Sequence, residues 1–306
     1  MGIFLTLLIK IIPLYLIILL GYVAGRYLKA QKETVARLLI FIIAPAVIFN
    51  SVLTTKLSVS VLALPILFFS LCCLICLATF SIAKKIWSDP TKNILAFTSG
   101  TGNTGYFGLP VAIALFGPNI AGLVVISTLG FILYENSLGF YITARGNHSA
   151  RESLKRVIKL PTIYAFLIGV IINLLGVKFG QGYFDFANLF RGAYSVLGMM
   201  LIGMGLASIT DYKFDFKFIG ATFLTKFVIW PLIISLIIFV DLNTIRLFNS
   251  EIYRVMILMS IVPLAANTVA FATELNAHPE KASMAVLIST IIALFYIPLV
   301  ASLFLS

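Results

Sequence analysis

Asn103, Thr104 and Gly105 follow one another in the stretch TSGTGNTGYFGLPVAIALFGP, between Thr98 and Pro118. An amide, a hydroxyl and a residue without a side chain supply hydrogen-bond donors and close backbone approach, which suits a carboxylate ligand. A second polar run, with Pro263, Asn267 and Thr268, stands in IVPLAANTV. Glu135 and Lys226 are the main charges placed well inside apolar segments, where an unpaired charge is costly. They sit at matching depths, which leaves three roles open: an ion pair between them, direct or through water, proton coupling by Glu135, or separate snorkelling and cavity-facing positions. Lys10, near an outer end, is expected to snorkel.

The elements that must position these groups are membrane spans. The 306 residues are 61% hydrophobic and 11% charged, whereas soluble domains average about 25% charged. The apolar runs lack strand-like alternation, which selects helices over a barrel. A net charge of +11 could suit nucleic acid, but the basic residues fall in short links between apolar runs, so the lipid bilayer is the expected partner and nucleic acid is not. Cys72, Cys73 and Cys76 share one apolar helix without His or acidic neighbours, and His148 and His278 lie in predicted loops. No metal site or cofactor is expected from them. The first 25 residues lack a basic start and a small-residue cleavage site, so they read as a retained first span.

Windows of about 20 apolar residues place ten spans at 3–25, 36–54, 59–83, 93–116, 119–143, 157–176, 189–209, 217–240, 252–274 and 281–304. The links GPN near 118 and NAHPEK near 278 are short enough to force hairpins. Links after spans 1, 3, 5, 7 and 9 hold 15 Lys or Arg; the opposite links hold five, Lys56, Lys178, Arg191, Arg246 and Arg254. Basic links mark the cytoplasmic side, so both termini are expected outside the cytoplasm of a cell-membrane protein. The long basic link at 146–156 divides the chain into two five-helix repeats, 1–145 and 157–306. An odd number of spans per repeat turns the second upside down.

Spans 4 and 9 hold equivalent places and both are interrupted. Five glycines (Gly100, Gly102, Gly105, Gly108, Gly117) and Pro110 stand in the first. Each interior glycine weakens a helix by about 1 kcal/mol and proline by about 3. Asn103 and Pro263 each lie about 15 Å from the start of their spans, the middle of a hydrocarbon layer about 30 Å thick. Breaks there survive only where protein or water satisfies the backbone, and such paired interruptions point to a transporter's binding site. The second half of span 4 is expected to start near Pro110, a favoured first-turn residue, aiming free N–H groups at an anion.

At these residues the chain resembles the auxin efflux carrier family, which includes plant PIN transporters and bacterial malate and malonate permease-like proteins. The resemblance covers nearly the whole chain and is most specific in GNTGYFGLPVAIALFG (102–117) and VPLAANTVAFATELNAHPEKASMAV (262–286), with GMMLIGMGLAS (198–208) and TKFVIWPL (225–232) matching in type. It implies an all-α fold like that of sodium/proton antiporters and bile-acid symporters. In that fold a scaffold of spans 1, 2, 6 and 7 (about 1–56 and 157–212) supports a moving transport domain of spans 3–5 and 8–10 (about 57–145 and 213–306). It also implies substrate at the crossing, on Asn103 and on polar groups of span 9; Asn267 fits the bacterial pattern. The charged residues of span 3 in plant members are absent here. Gly198, Gly203 and Gly205 in span 7, with Gly21 and Gly25 in span 1, suit close helix packing, a sliding surface or a homodimer seam through the scaffold.

The expected function is a secondary carrier of small organic anions such as carboxylates, working as an elevator with alternating access. A sodium- or proton-coupled symporter shares that architecture, and a non-transporting membrane sensor is the reading from another class. An enzyme is not expected: Ser99 has no buried base near it in sequence, and no GxGD or HExxH motif is present. With no carboxylate expected at the crossing itself, uncoupled electrogenic anion movement is the favoured energetics.

Overall fold

In lipid each backbone N–H and C=O must find its partner within its own segment, and the described chain is helical with no strand. The computed structural model describes residues 3–54, 59–117, 120–208 and 215–304. Lys56, Pro118 and Asn119 of the GPN hairpin, the side chain of Lys10 and the extreme chain ends lie outside the described part. In chain order the helices are α1 (Ile3–Arg26), α2 (Lys32–Leu38), α3 (Ala44–Leu53), α4 (Val59–Ala83), α5 (Thr91–Ser99), α6 (Leu109–Phe116), α7 (Ala121–Tyr134) and α8 (Phe140–Ala144). Then follow α9 (Ala150–Ile158), α10 (Pro161–Leu174), α11 (Gln181–Ala207), α12 (Phe216–Leu224), α13 (Trp230–Asn243), α14 (Ser250–Ile261), α15 (Asn267–Glu274) and α16 (Pro279–Phe304). Among the described residues six helical runs are long and apolar enough to cross a membrane, or seven if the pair α9 and α10, bent by 45°, counts as one.

Two elements differ from expectation. The helix of span 7 begins at Gln181 rather than 189, since neither Gly nor Pro stands between Gly182 and Leu189 and Gln181 pairs with Asp185 (2.8 Å) along one face. The basic link is itself structured: Ser149 and Glu152 form a capping box that starts α9. Four described π turns had no sequence signal: Leu39–Ile43, Thr104–Gly108, Glu135–Gly139 and Thr225–Ile229.

α1 packs along α11, α10 along α3, α4 against α5 and α7, and α15 against α16. The α1–α11 seam is backbone against backbone. A Cβ on Gly21 would strike the Met200 carbonyl, and one on Gly203 the carbonyl of Ile18. Gly25 faces Met204 and Ala207 of the same seam, so these glycines serve packing within the chain. Gly205 instead meets Ser283 of α16.

The lysine-rich links gather at one end. Arg37 pairs with Glu274 (3.1 Å), Lys32 reaches Ser208 (2.8 Å), and the Asn147 amide donates to the carbonyls of Leu275 and Asn276. Lys281 joins Asp215 (2.9 Å) to Thr91 (2.8 Å), and His278 stands between Asp89 and Glu280. At the other end Asp241 collects the N–H groups of Leu247 and Phe248 and the Tyr253 hydroxyl. Partial burial pushes the Asp215 carboxyl up, but hydrogen bonds from Lys281 and the Phe218 N–H outweigh it and hold the group below its usual range.

Gly203→Ala should lower the melting temperature in detergent by an amount equivalent to about 1–3 kcal/mol, the usual cost of overpacking. Gly220→Ala, where a Cβ meets nothing within 4 Å, is the control and should match wild type. A carboxyl depressed by folding stabilises above its unfolded pKa, and the gain fades as pH falls through the folded value. Asp215→Asn should therefore melt earlier at neutral pH and converge with wild type under acid.

Candidate functional site at the crossing of two broken helices

Span 4 breaks between Ser99 and Thr104, and span 9 between Ile261 and Asn267. Each break has a local cause. A proline disfavours helical backbone in the residue before it, and Val262, ahead of Pro263, is extended at ψ 151°. At the other break Asn103 (φ −76°, ψ 64°) is the apex of an inverse γ-turn closed by Thr104 N–H to the Gly102 carbonyl, 2.8 Å. The two breaks touch: Asn103 N–H donates to the carbonyl of Pro263 at 2.7 Å.

A helix end leaves its last carbonyls without partners, and large side chains meet that need at the end of α5. Trp230 Nε1 donates to the Ser99 carbonyl (2.8 Å) and the Tyr134 hydroxyl to that of Phe97 (3.0 Å). Leu264 N–H is taken by Ser289 Oγ (3.1 Å). The second half of span 4 begins with the π turn at Thr104, not near Pro110 as expected. Pro110 stands one residue inside α6, beyond the break, because the π turn carries the helix through to it.

Between the breaks lies a cavity of about 30 Å³, against about 10–15 Å³ needed for one water. Gly102, Asn103, Thr104 and Gly105 line one side and Ala265, Ala266 and Asn267 another. α7 contributes Thr128, Phe131, Ile132 and the adjoining Glu135, and α11 contributes Tyr194. Of the residues singled out in sequence, Asn103, Thr104, Gly105, Asn267 and Glu135 therefore meet here. Pro263 takes part through its carbonyl, while Thr268 and Lys226 are not on the cavity wall and the side chain of Pro110 lies outside the described part. Thr268 is fully buried, and among the described residues neither its hydroxyl nor either polar atom of the Asn103 amide has a partner.

Glu135 stands at the crossing itself, which corrects the expectation that the crossing has no carboxylate. Its carboxylate accepts from Thr101 Oγ1, and from Asn267 Nδ2 at 2.6 Å. Asn267 also exchanges hydrogen bonds with the Tyr194 hydroxyl at 2.8 and 3.1 Å. The direct Glu135–Lys226 ion pair is not formed. Lys226 Nζ is fully buried with no hydrogen-bond partner among the described residues, 4.8 Å from the Trp230 ring centroid and 5.9 Å from that of Phe131. The span 4 backbone intervenes: Thr101 bonds to Glu135, while a Cβ on Gly102 would stand 2.5 Å from Lys226 Nζ. Both charged residues lie in π turns, which recur at functional sites.

Tyr194 and Thr101 were missed by the sequence reading. Thr128, Phe131, Ile132 and Glu135 recur at helical spacing on one face, a pattern that could have disclosed the α7 wall; Tyr194 has no such local signal.

Residues 6–301 match the family described as Membrane transport protein. An uncharacterized transporter of Methanothermobacter thermautotrophicus is 25% identical over 303 residues, covering 94% of this chain and 95% of the relative. One from Methanocaldococcus jannaschii is 23% identical, covering 93% and 94%. The uncharacterized transporter YfdV of Escherichia coli is 23% identical, covering 92% of each chain.

Trp230→Phe keeps a ring beside Lys226 but removes the donor to the Ser99 carbonyl. Stranding a buried acceptor costs about 1–3 kcal/mol, so thermal unfolding in detergent should show a loss of that size, and the mirror change Tyr134→Phe a similar one.

Proposed function

The chain belongs to the membrane transport protein family, the auxin efflux carriers, and from that premise we propose that it is a secondary carrier of small organic anions, carboxylates above all. The observation behind this is the meeting of two broken helices at Asn103 and Pro263, with a buried Asn103 amide, unpartnered among the described residues, on the wall of the cavity between them. A buried amide calls for hydrogen-bond partners, and the cavity beside it is where a ligand's polar atoms would meet it. At about 30 Å³ the cavity must widen to admit a carboxylate.

The proposed architecture is ten passes in an inverted repeat of the antiporter and bile-acid symporter type. Six long apolar runs, α1, α10 and the two broken pairs supply that number. The packing of α1 on α11 and α10 on α3, beside a second group built on α4, α5, α7 and α13–α16, supports a scaffold and a moving transport domain. Contacts between all five lysine-rich links support placing them on one side, the cytoplasmic one, with both termini opposite. Substrate would ride between the two faces on Asn103, Thr104, Gly105 and Asn267.

The test is a binding screen of mono- and dicarboxylates against purified protein, followed by flux of the retained anion in liposomes. Asn103→Ala and Asn267→Ala should each weaken binding tenfold or more while remaining folded, since a hydrogen bond to a charged group is worth about 1.5–3 kcal/mol. Wild-type affinity and flux in both variants would move the site elsewhere, and binding without counterflow would favour a sensor.

A further inference from the structure

We propose that Glu135 is the proton-coupling residue of this carrier, and that the cargo is a monoanion moved together with one proton. The proposal rests on the carrier reading above and adds to it the ion and the charge of the substrate. It starts from a placement that the sequence did not disclose: the cavity meant for an anion has a carboxylate in its wall.

Glu135 is 2% exposed and Lys226 fully buried. They lie on either side of the span 4 break, one touching Thr101 and the other the next residue, Gly102. With Glu135 ionised and Lys226 charged, the empty site sums to zero. Lys226 has no acceptor, but it lies beside the rings of Trp230 and Phe131, a setting that favours a cation. An anion entering this site alone would leave a net negative charge beside Glu135 and away from water, the costly arrangement for any buried group. If a proton from solvent binds a Glu135 oxygen as the anion enters, the loaded site again holds one positive and one negative charge. The sum is then zero in both the empty and the loaded carrier, and either can cross the hydrocarbon layer without unbalanced charge. A dianion would break this balance, and one lysine has no second charge to offer.

The other groups facing Glu135 agree with this assignment. α4 presents Cys72, a fully buried thiol. α11 presents Tyr194, engaged with Asn267. Tyr134, next in the chain, has its hydroxyl on the Phe97 carbonyl, and Tyr253 of α14 is held by Asp241 at the outer end. Span 4 and α15 present the hydroxyl of Thr101 and the amide of Asn267. Both of these aim hydrogens at the carboxylate, whereas a sodium ion would need converging lone pairs. Asn267 can rotate its amide and offer its oxygen when Glu135 gains a proton, so the same contact serves both states.

The full chain, purified in detergent, is titrated with L-lactate and with acetate by calorimetry in two buffers of different ionisation heat, which counts protons taken up per anion. Wild type should take up one proton per anion, with affinity falling about tenfold per pH unit on the alkaline side. Glu135→Gln, which keeps one acceptor for Thr101, should bind with no proton uptake and no pH dependence. Binding to wild type without proton uptake, or binding that follows sodium and ignores pH, overturns the proposal and leaves the carboxylate reading standing. If neither anion binds, infrared pH-difference spectra decide. A carboxylic-acid band that rises on acidification in wild type and is absent from Glu135→Gln upholds the proton site while the carboxylate reading fails. Superimposable spectra overturn it.

Discussion

One hydrogen bond, from the Asn103 N–H to the Pro263 carbonyl, holds together what two broken helices would otherwise leave exposed. The constraint behind it is the bilayer's refusal of unpaired backbone groups. Every other feature of the crossing answers the same demand. Trp230 and Tyr134 are large because they must reach the last carbonyls of α5 from neighbouring spans, and Ser289 is a serine because Leu264 N–H has no helical partner. Gly102 lacks a side chain because Lys226 has taken the space. Among the described residues, the side-chain groups at the crossing left without partners are the Asn103 amide, the Ser99 and Thr268 hydroxyls and Lys226 Nζ.

The legible part of the fold was the part governed by long apolar windows. Long apolar helices and the two breaks follow from composition along the chain, and the structure has them. The π turns did not, because ENSLG and TKFVI contain nothing that distinguishes a five-residue turn from an α-helical one; tertiary packing decides. For the same reason the start of the second half-helix was misjudged. Pro110 is a good first-turn residue, but the γ-turn at Asn103 and the π turn after it set the boundary earlier.

The candidate site divided along similar lines. Asn103, Gly105 and Asn267 were legible because they interrupt or border apolar runs. Glu135 was visible as a buried charge, yet equal depth along two helices says nothing of rotation about their axes. Its oxygens turned towards Thr101 and Asn267, and Lys226 turned to aromatic rings across the backbone. Tyr194 belongs to the opposite helix group, and only the folded chain brings it to Asn267.

The π turns at Glu135–Gly139 and Thr225–Ile229 hold a further consequence for how such a chain can change over time. Each accommodates one residue more than an α-helix of the same rise, and one residue corresponds to a rotation of about 100°. Loss of a single codon within either turn would restore ordinary helix and swing the remainder of that span to a new face while leaving its length and hydropathy almost untouched. Related chains could thus acquire or discard an inward-facing charge by a one-residue deletion, without passing through a substitution that buries it unpaired. Alignments across these two turns therefore warrant gaps of a single residue, placed inside a membrane span where gaps are ordinarily forbidden.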